Sequence, residues 1–259
     1  MSKKPDLRGI SSIVLESDGD FDEVKVLGGL HSSGSLNANT VDVKGSVDLK
    51  GSLWTNSIEV LGGVHIGADL ISELDIDIHG GVRTGGKLQG RNIKISGGVK
   101  TQEDIVGVNF HVLGGIKSVG NIKIDETIDV KGGLTSLKGI SSGKILSVGG
   151  LAAEQDVKAN GLIDVRGKIE IGGDVNCDEF IFQLSAPSYI EGKLTANRVR
   201  IVKDENARSE CFLRVTEIVS PNRVDIDYVI AERIVAPKVK AGENCRVKEG
   251  IEKNYDPTH

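Results

Sequence analysis

A glycine pair returns about every seventeen residues along most of this 259-residue chain, and a fixed period of that size decides the architecture before any secondary structure is assigned. The pairs begin at Gly28, Gly62, Gly80, Gly97, Gly114, Gly132 and Gly149. The first interval is double the rest, with Gly45 at its midpoint, and the series runs on to Gly167. Nine anchors over 139 residues give a mean period of about 17.4.

Residues at fixed offsets from these anchors carry the pattern. Four before each glycine stand Val24, Val41, Ile58, Ile76, Ile93, Phe110, Ile128, Ile145 and Ile163, all apolar. The positions two before, two after and eight after are apolar as well, with Ser147 as the exception. Offsets of one parity share a face on extended backbone, whereas the residues between them, such as Lys25, Asp42, Glu59, Asp77, Lys94 and Asp129, are charged. Each repeat thus has one dry and one wet face. The anchor glycines fall on the inward side, where a chain turning a corner leaves no room for a Cβ or needs positive φ.

A unit of seventeen residues with one apolar face cannot fold alone, but units stacked in register bury those faces as continuous ladders. The expected fold is therefore all-β, a parallel β-helix (β-solenoid) of about 12 to 13 rungs spaced by about 4.8 Å. Composition agrees: 28 Val, 27 Ile and 34 Gly stand against nine aromatic residues and five Pro, which suits short strands and tight corners. The expected organisation is an N-terminal tail over 1–23, regular rungs over 24–203, irregular rungs and a cap over 204–250, and a C-terminal tail over 251–259. Segments 185–188 and 204–210 read as loops.

Charge and motifs narrow the function. A net charge of −5 with no basic run argues against a nucleic-acid partner, and scarce aromatics leave little with which to stack bases. No stretch approaches the roughly 18 apolar residues of a membrane span, and the N-terminus lacks a leader-like apolar core, so a cytoplasmic location is expected. Cys177, Cys211 and Cys245 lie 34 residues apart; on a constant period they would sit two rungs apart on one side, roughly 10 Å, too far for a disulfide. Reduced thiols are expected. His31 and His65 share an offset, while His79, His111 and His259 do not, so no metal site is expected. The carboxylates between apolar positions could imitate the active face of a β-helical polysaccharide enzyme, but the regular rungs lack the insertions from which such clefts are built. Neither an enzyme nor a cofactor is expected. The calcium-binding nonapeptide, a Thr-x-Thr column, a strict hexapeptide beat and a P-loop are all absent from the sequence.

The runs VDVKGSVDLKGSL, IEVLGGVHIGADL and IKISGGVKTQEDI resemble the repeats of bactofilins, the polymer-forming cytoskeletal proteins. VDIDYVIAERIVAPKVKAGENCRVKEGIEKNY is similar to the tail of longer bactofilin-like proteins, and the likeness covers about residues 24–250. It implies a right-handed, three-sided β-helix that joins end to end into filaments without nucleotide, often at the inner face of the cell membrane. Partners implied are a second copy of the chain, a related bactofilin, and a weak membrane contact through the apolar residues of the N-terminal tail (Leu7, Ile10, Ile13, Val14, Leu15). The alternative is a non-polymerising scaffold or adaptor that binds or regulates a related filament protein. The candidate end-to-end interface comprises Val24 and Val26 in the expected first rung and Val239 and Val247 near the last. On that placement a charge at Val24 is expected to block joining and leave the fold intact.

Overall fold

A computed structural model describes residues 4–207 and 211–252. The described residues form strands and corners without a helix, so no helix is long and apolar enough to cross a membrane. The chain divides into two compact units, Met1–Asp125 and Glu126–His259, a boundary within the stretch expected as uninterrupted regular rungs.

In the first unit, every strand pairs in parallel with the strand about seventeen residues on. Leu7 pairs with Val24, Val24 with Val41, Val41 with Ile58, Ile58 with Ile76, Ile76 with Ile93 and Ile93 with Phe110, which defines seven turns of a β-solenoid. A typical turn has three straight segments. Leu36–Val43 bends between Ala38 and Thr40 to supply two of them, and Val47–Leu49 is the third. The anchor columns point inward as expected: Val26, Val43, Val60, Ile78, Ile95 and Val112 are fully buried. Each such aliphatic side chain contributes about 1.5–3 kcal/mol by leaving water.

The corners explain the glycine period. A Cβ on Gly62 would stand 2.5 Å from the carbonyl oxygen of Gly45, one turn earlier, so the backbone passes too close for a side chain. In the second unit Gly167 meets the same crowding at φ 137°, a conformation that L-residues avoid. Another corner is polar. Asp18 accepts the Ser35 amide at 2.6 Å, Ser35 Oγ the Ser52 amide at 3.1 Å, Ser52 Oγ the Asp69 amide at 3.3 Å, and Asp69 the Lys87 amide at 2.8 Å. Side-chain oxygens there bond backbone N–H groups that the bend leaves out of the strand ladder.

The second unit is a parallel solenoid of the same kind. Ile145, Ile163, Phe180, Val199, Val224 and Val239 pair in succession, preceded by the buried Ile128 and Val130. Its polar corner reappears where Asp156 accepts the Asp174 amide at 3.0 Å and Asp174 the Lys193 amide at 2.8 Å. The period lengthens after Ile201, whose partner is Ile226, and the chain between them includes the expected loop at 204–207; residues 208–210 lie outside the described residues. Ser188, read as loop, instead opens the strand Ser188–Lys203, and its hydroxyl accepts the Ile169 amide at 3.0 Å.

Two further readings need correction. The stretch expected as an N-terminal tail holds strands Leu7–Gly9 and Ile13–Leu15 and the start of Gly19–Val26, a full turn paired to the next. It escaped the period because Ser11 replaces the anchor glycine, and Gly9 and Gly19 replace two aliphatic columns. At the other end, the tail expected from residue 251 begins inside the strand Arg246–Glu252; residues 253–259, including His259, lie outside the described residues.

Candidate interface at the terminal turns

In a parallel solenoid each turn bonds its neighbours through N–H and C=O groups on both edges, so the terminal turns alone have an edge to spare. In the first turn the inner edge is used: the Leu27 amide donates to Gly9 O at 2.9 Å, the Ile13 amide to Gly29 O at 2.9 Å and the Ser33 amide to Leu15 O at 3.0 Å. Among the described residues no strand pairs with the outer edges of Leu7–Gly9 and Ile13–Leu15. The inward side chains Leu7, Ile13 and Leu15 are only half-buried, whereas Val24 and Leu30, one turn behind Leu7 and Ile13, are fully sealed. The first turn therefore combines an apolar cross-section with a backbone edge that no described strand pairs.

This corrects the placement of two candidate residues. Val24 and Val26 belong to the second turn, stacked behind Leu7 and Gly9, and both are 0 % exposed. They cannot touch another molecule while the first turn is in place. Leu7, Ile13 and Leu15 occupy the position expected for them, and stepping one period back from Gly28 would have found them despite the missing glycine. The same placement changes the N-terminal residues proposed to meet a membrane, because only Ile10 and Val14 face outward; they are 87 % and 70 % exposed.

Val239 and Val247 do lie in the final described turn. Val239 pairs with Val224 and Val247 with Ala231; both valines are half-buried, whereas Val224 and Ala231 are sealed. This end is more polar. The pairing slips between Ala231 and Arg233, Gly250 takes φ 105°, and Ile251 is 40 % exposed. Arg233 bonds Glu252 at 2.8 Å, and that hydrogen bond is the main reason its guanidinium pKa is raised. Lys248 adds an ion pair to Glu232 at 3.4 Å.

Other groups offer little chemistry. The three cysteines are free, and they do not share a side of the solenoid: Cys177 pairs with Ala196, while Cys211 and Cys245 precede Leu213–Val219 and Arg246–Glu252 on a different segment of the turn. The insertion after residue 203 breaks the constant period on which their expected column rested. Burial, helped by Asp178 and Glu179, pushes the Cys177 thiol up to about 12, so it stays protonated and a poor nucleophile. Among the described residues no group of three His, Cys, Asp or Glu is placed to hold a metal. His31 and His65 flank Asp48 in one outward row, and His79 lies 3.5 Å from Asp77. No family model, curated protein or solved structure matches this chain.

Proposed function

We propose that this chain is a bactofilin-like scaffold that assembles end to end through its terminal turns, without nucleotide and in a reducing cytoplasm. The observation that carries the reading is the first turn: incompletely buried Leu7, Ile13 and Leu15 beside a strand edge with no partner among the described residues. Joining two such ends would bury apolar surface and pair backbone groups in one step, the two terms that already hold successive turns together. Nothing in that step requires an energy source. The sequence likeness to bactofilin repeats points the same way, and neither catalysis nor a cofactor enters the proposal.

Negative-stain electron microscopy of the purified chain at raised concentration tests it. Filaments are expected for the wild type, and Leu15→Arg should leave folded, unjoined particles. Unchanged assembly in that variant removes the first turn from the interface. A second reading is favoured by the ion-paired rim around Arg233, Glu252, Glu232 and Lys248: an adaptor whose final turn is guarded and which binds a related filament protein. Discrete particles of constant size at all concentrations would favour that reading.

A further inference from the structure

We propose that the first unit carries a lateral docking surface for a second copy of the chain, in which a ridge of stacked cations enters an acidic groove on the neighbour. This contact is separate from end joining.

The ridge lies on one flat side. Arg83 pairs with Lys100 and Lys100 with Lys117, so three cations stand one above another at about 4.8 Å per turn, with His65 next below. All three are exposed, and among the described residues none has an ion-pair or hydrogen-bond partner. Like charges directly opposite each other on parallel strands repel, so the row costs stability and brings no internal return.

The doubled glycines supply an independent observation. The first member of each pair is required, because a Cβ on Gly80 or Gly97 would lie 2.4 Å or 2.6 Å from the preceding turn's backbone. Of the second members, those beside the ridge, Gly81 and Gly98, are not, although Gly86, Gly150 and Gly173 are crowded or held at positive φ. A Cβ on Gly81 or Gly98 would make only ordinary contacts, at 3.4 Å and 3.5 Å, and neither residue has positive φ. Glycine in a strand-rich segment costs backbone entropy, yet these positions stay bare two residues before Arg83 and Lys100. Bare flanks leave the cations standing clear of the surface.

The complementary surface lies on the same unit. A groove of about 570 Å³ on another side of the same unit is lined by Glu23, Asp42, Glu59, Asp75 and Asp77, with Lys94 as its one cation. Asp42 pairs with Glu59 and Glu59 with Asp77, three carboxylates on three successive turns. Lys44 bridges Asp42 and Glu59 at 3.1 Å each, Lys25 reaches Asp42 at 3.6 Å, and Lys94 and His79 each reach Asp77 at 3.5 Å, so a docking ridge has to displace these cations. Such exposed pairs are individually weak and exchangeable. Because both rows ride on one solenoid, their spacing is identical by construction. Two parallel copies offset by two turns, about 10 Å, set Arg83, Lys100 and Lys117 against Asp42, Glu59 and Asp77. The two surfaces differ, so the contact is heterologous and repeats.

Sedimentation velocity on the full chain in a Leu15→Arg background, where end joining is suppressed, tests this contact alone. Self-association is expected at low ionic strength and is expected to vanish at about 1 M salt, where the screening length falls to about 3 Å. Reversing the ridge (Arg83→Glu, Lys100→Glu, Lys117→Glu) or the groove (Asp42→Lys, Glu59→Lys, Asp77→Lys) should weaken it roughly tenfold or more, as three weak pairs sum. Mixing the two reversed proteins should restore it. Should a triple variant melt early by circular dichroism, Lys100→Glu and Glu59→Lys provide the same exchange with one change each. Association that survives reversal, no recovery on mixing, or a parent that stays monomeric at low salt overturns the proposal. So does a ridge whose reversal abolishes only binding to phosphatidylglycerol vesicles. None of these results bears on end joining, which the filament assay reads separately.

Discussion

The middle of the first unit and the end of the second are built from the same parallel turn, yet they tolerate change differently. Between Val24 and Val112 the partner residue is always 17 or 18 positions away, the inward aliphatic columns are sealed, and corners repeat as glycine contacts or side-chain-to-amide bonds. Beyond Ile201 the spacing first stretches, with Ile201 paired to Ile226, and then contracts, with Val224 paired to Val239; Tyr228 adopts φ 57°, and the last turn slips its pairing at Arg233. Regularity and burial reinforce each other, because a sealed column needs the same residue class at the same offset in every turn. Where the period loosens, that condition is relaxed.

A buried charge should separate the two regions most. Ile95→Asp places a carboxylate in a fully buried column and should cost about 3–5 kcal/mol, enough to abolish the folding transition in urea. Val239→Asp, in the half-buried final turn, should cost about 1 kcal/mol and leave the transition in place. Equal losses would show that the last turn is as sealed as the middle. Val24→Arg belongs with Ile95→Asp, since Val24 is a core residue of the second turn.

A smaller contrast lies within a single glycine pair. Gly62→Ala forces a Cβ to 2.5 Å from Gly45 O and should cost about 1–3 kcal/mol. Its neighbour Gly63→Ala meets only Gly81 O at 3.6 Å and should be neutral or stabilising by about 0.4–1 kcal/mol. Chemical denaturation of the two variants compares them directly.

The smallest effect is on pH dependence. The Asp174 amide, with Lys158, holds the Asp156 carboxyl below its ordinary value. Burial works against the same shift at Asp104, where the Asn121 amide and Lys123 outweigh it. A depressed folded pKa gives stability that is full above the unfolded value and is lost as pH falls through it toward the folded one. The melting temperature should therefore drop below about pH 4, and Asp156→Ala should make that drop shallower.

Particular residues show how far the sequence could be read. Ile58 and Val60 were legible as inward because they recur with the same neighbours at the same offset. Leu7 and Ile13 obey the same geometry without the glycine signal, so the sequence pattern alone places the first rung at Val24 and Val26, one turn too late. The corner ladder from Asp18 through Ser35 and Ser52 to Asp69 was silent, since the column mixes Asp with Ser and either oxygen can accept the next amide. The ridge of Arg83, Lys100 and Lys117 was in plain view as one offset, but its lack of partners is a property of three dimensions.

The amino-acid order alone determined the turn length, the inward columns and the parallel stacking, because a period of about seventeen with strict parity leaves one way to bury its apolar face. The tertiary structure decided that Leu7 and Ile13 form a turn ahead of Val24, which glycines are crowded by the preceding turn, and which charges among the described residues stand without a partner. Those depend on the distance between atoms of neighbouring turns, and one period of sequence holds no record of what the turn above it presents.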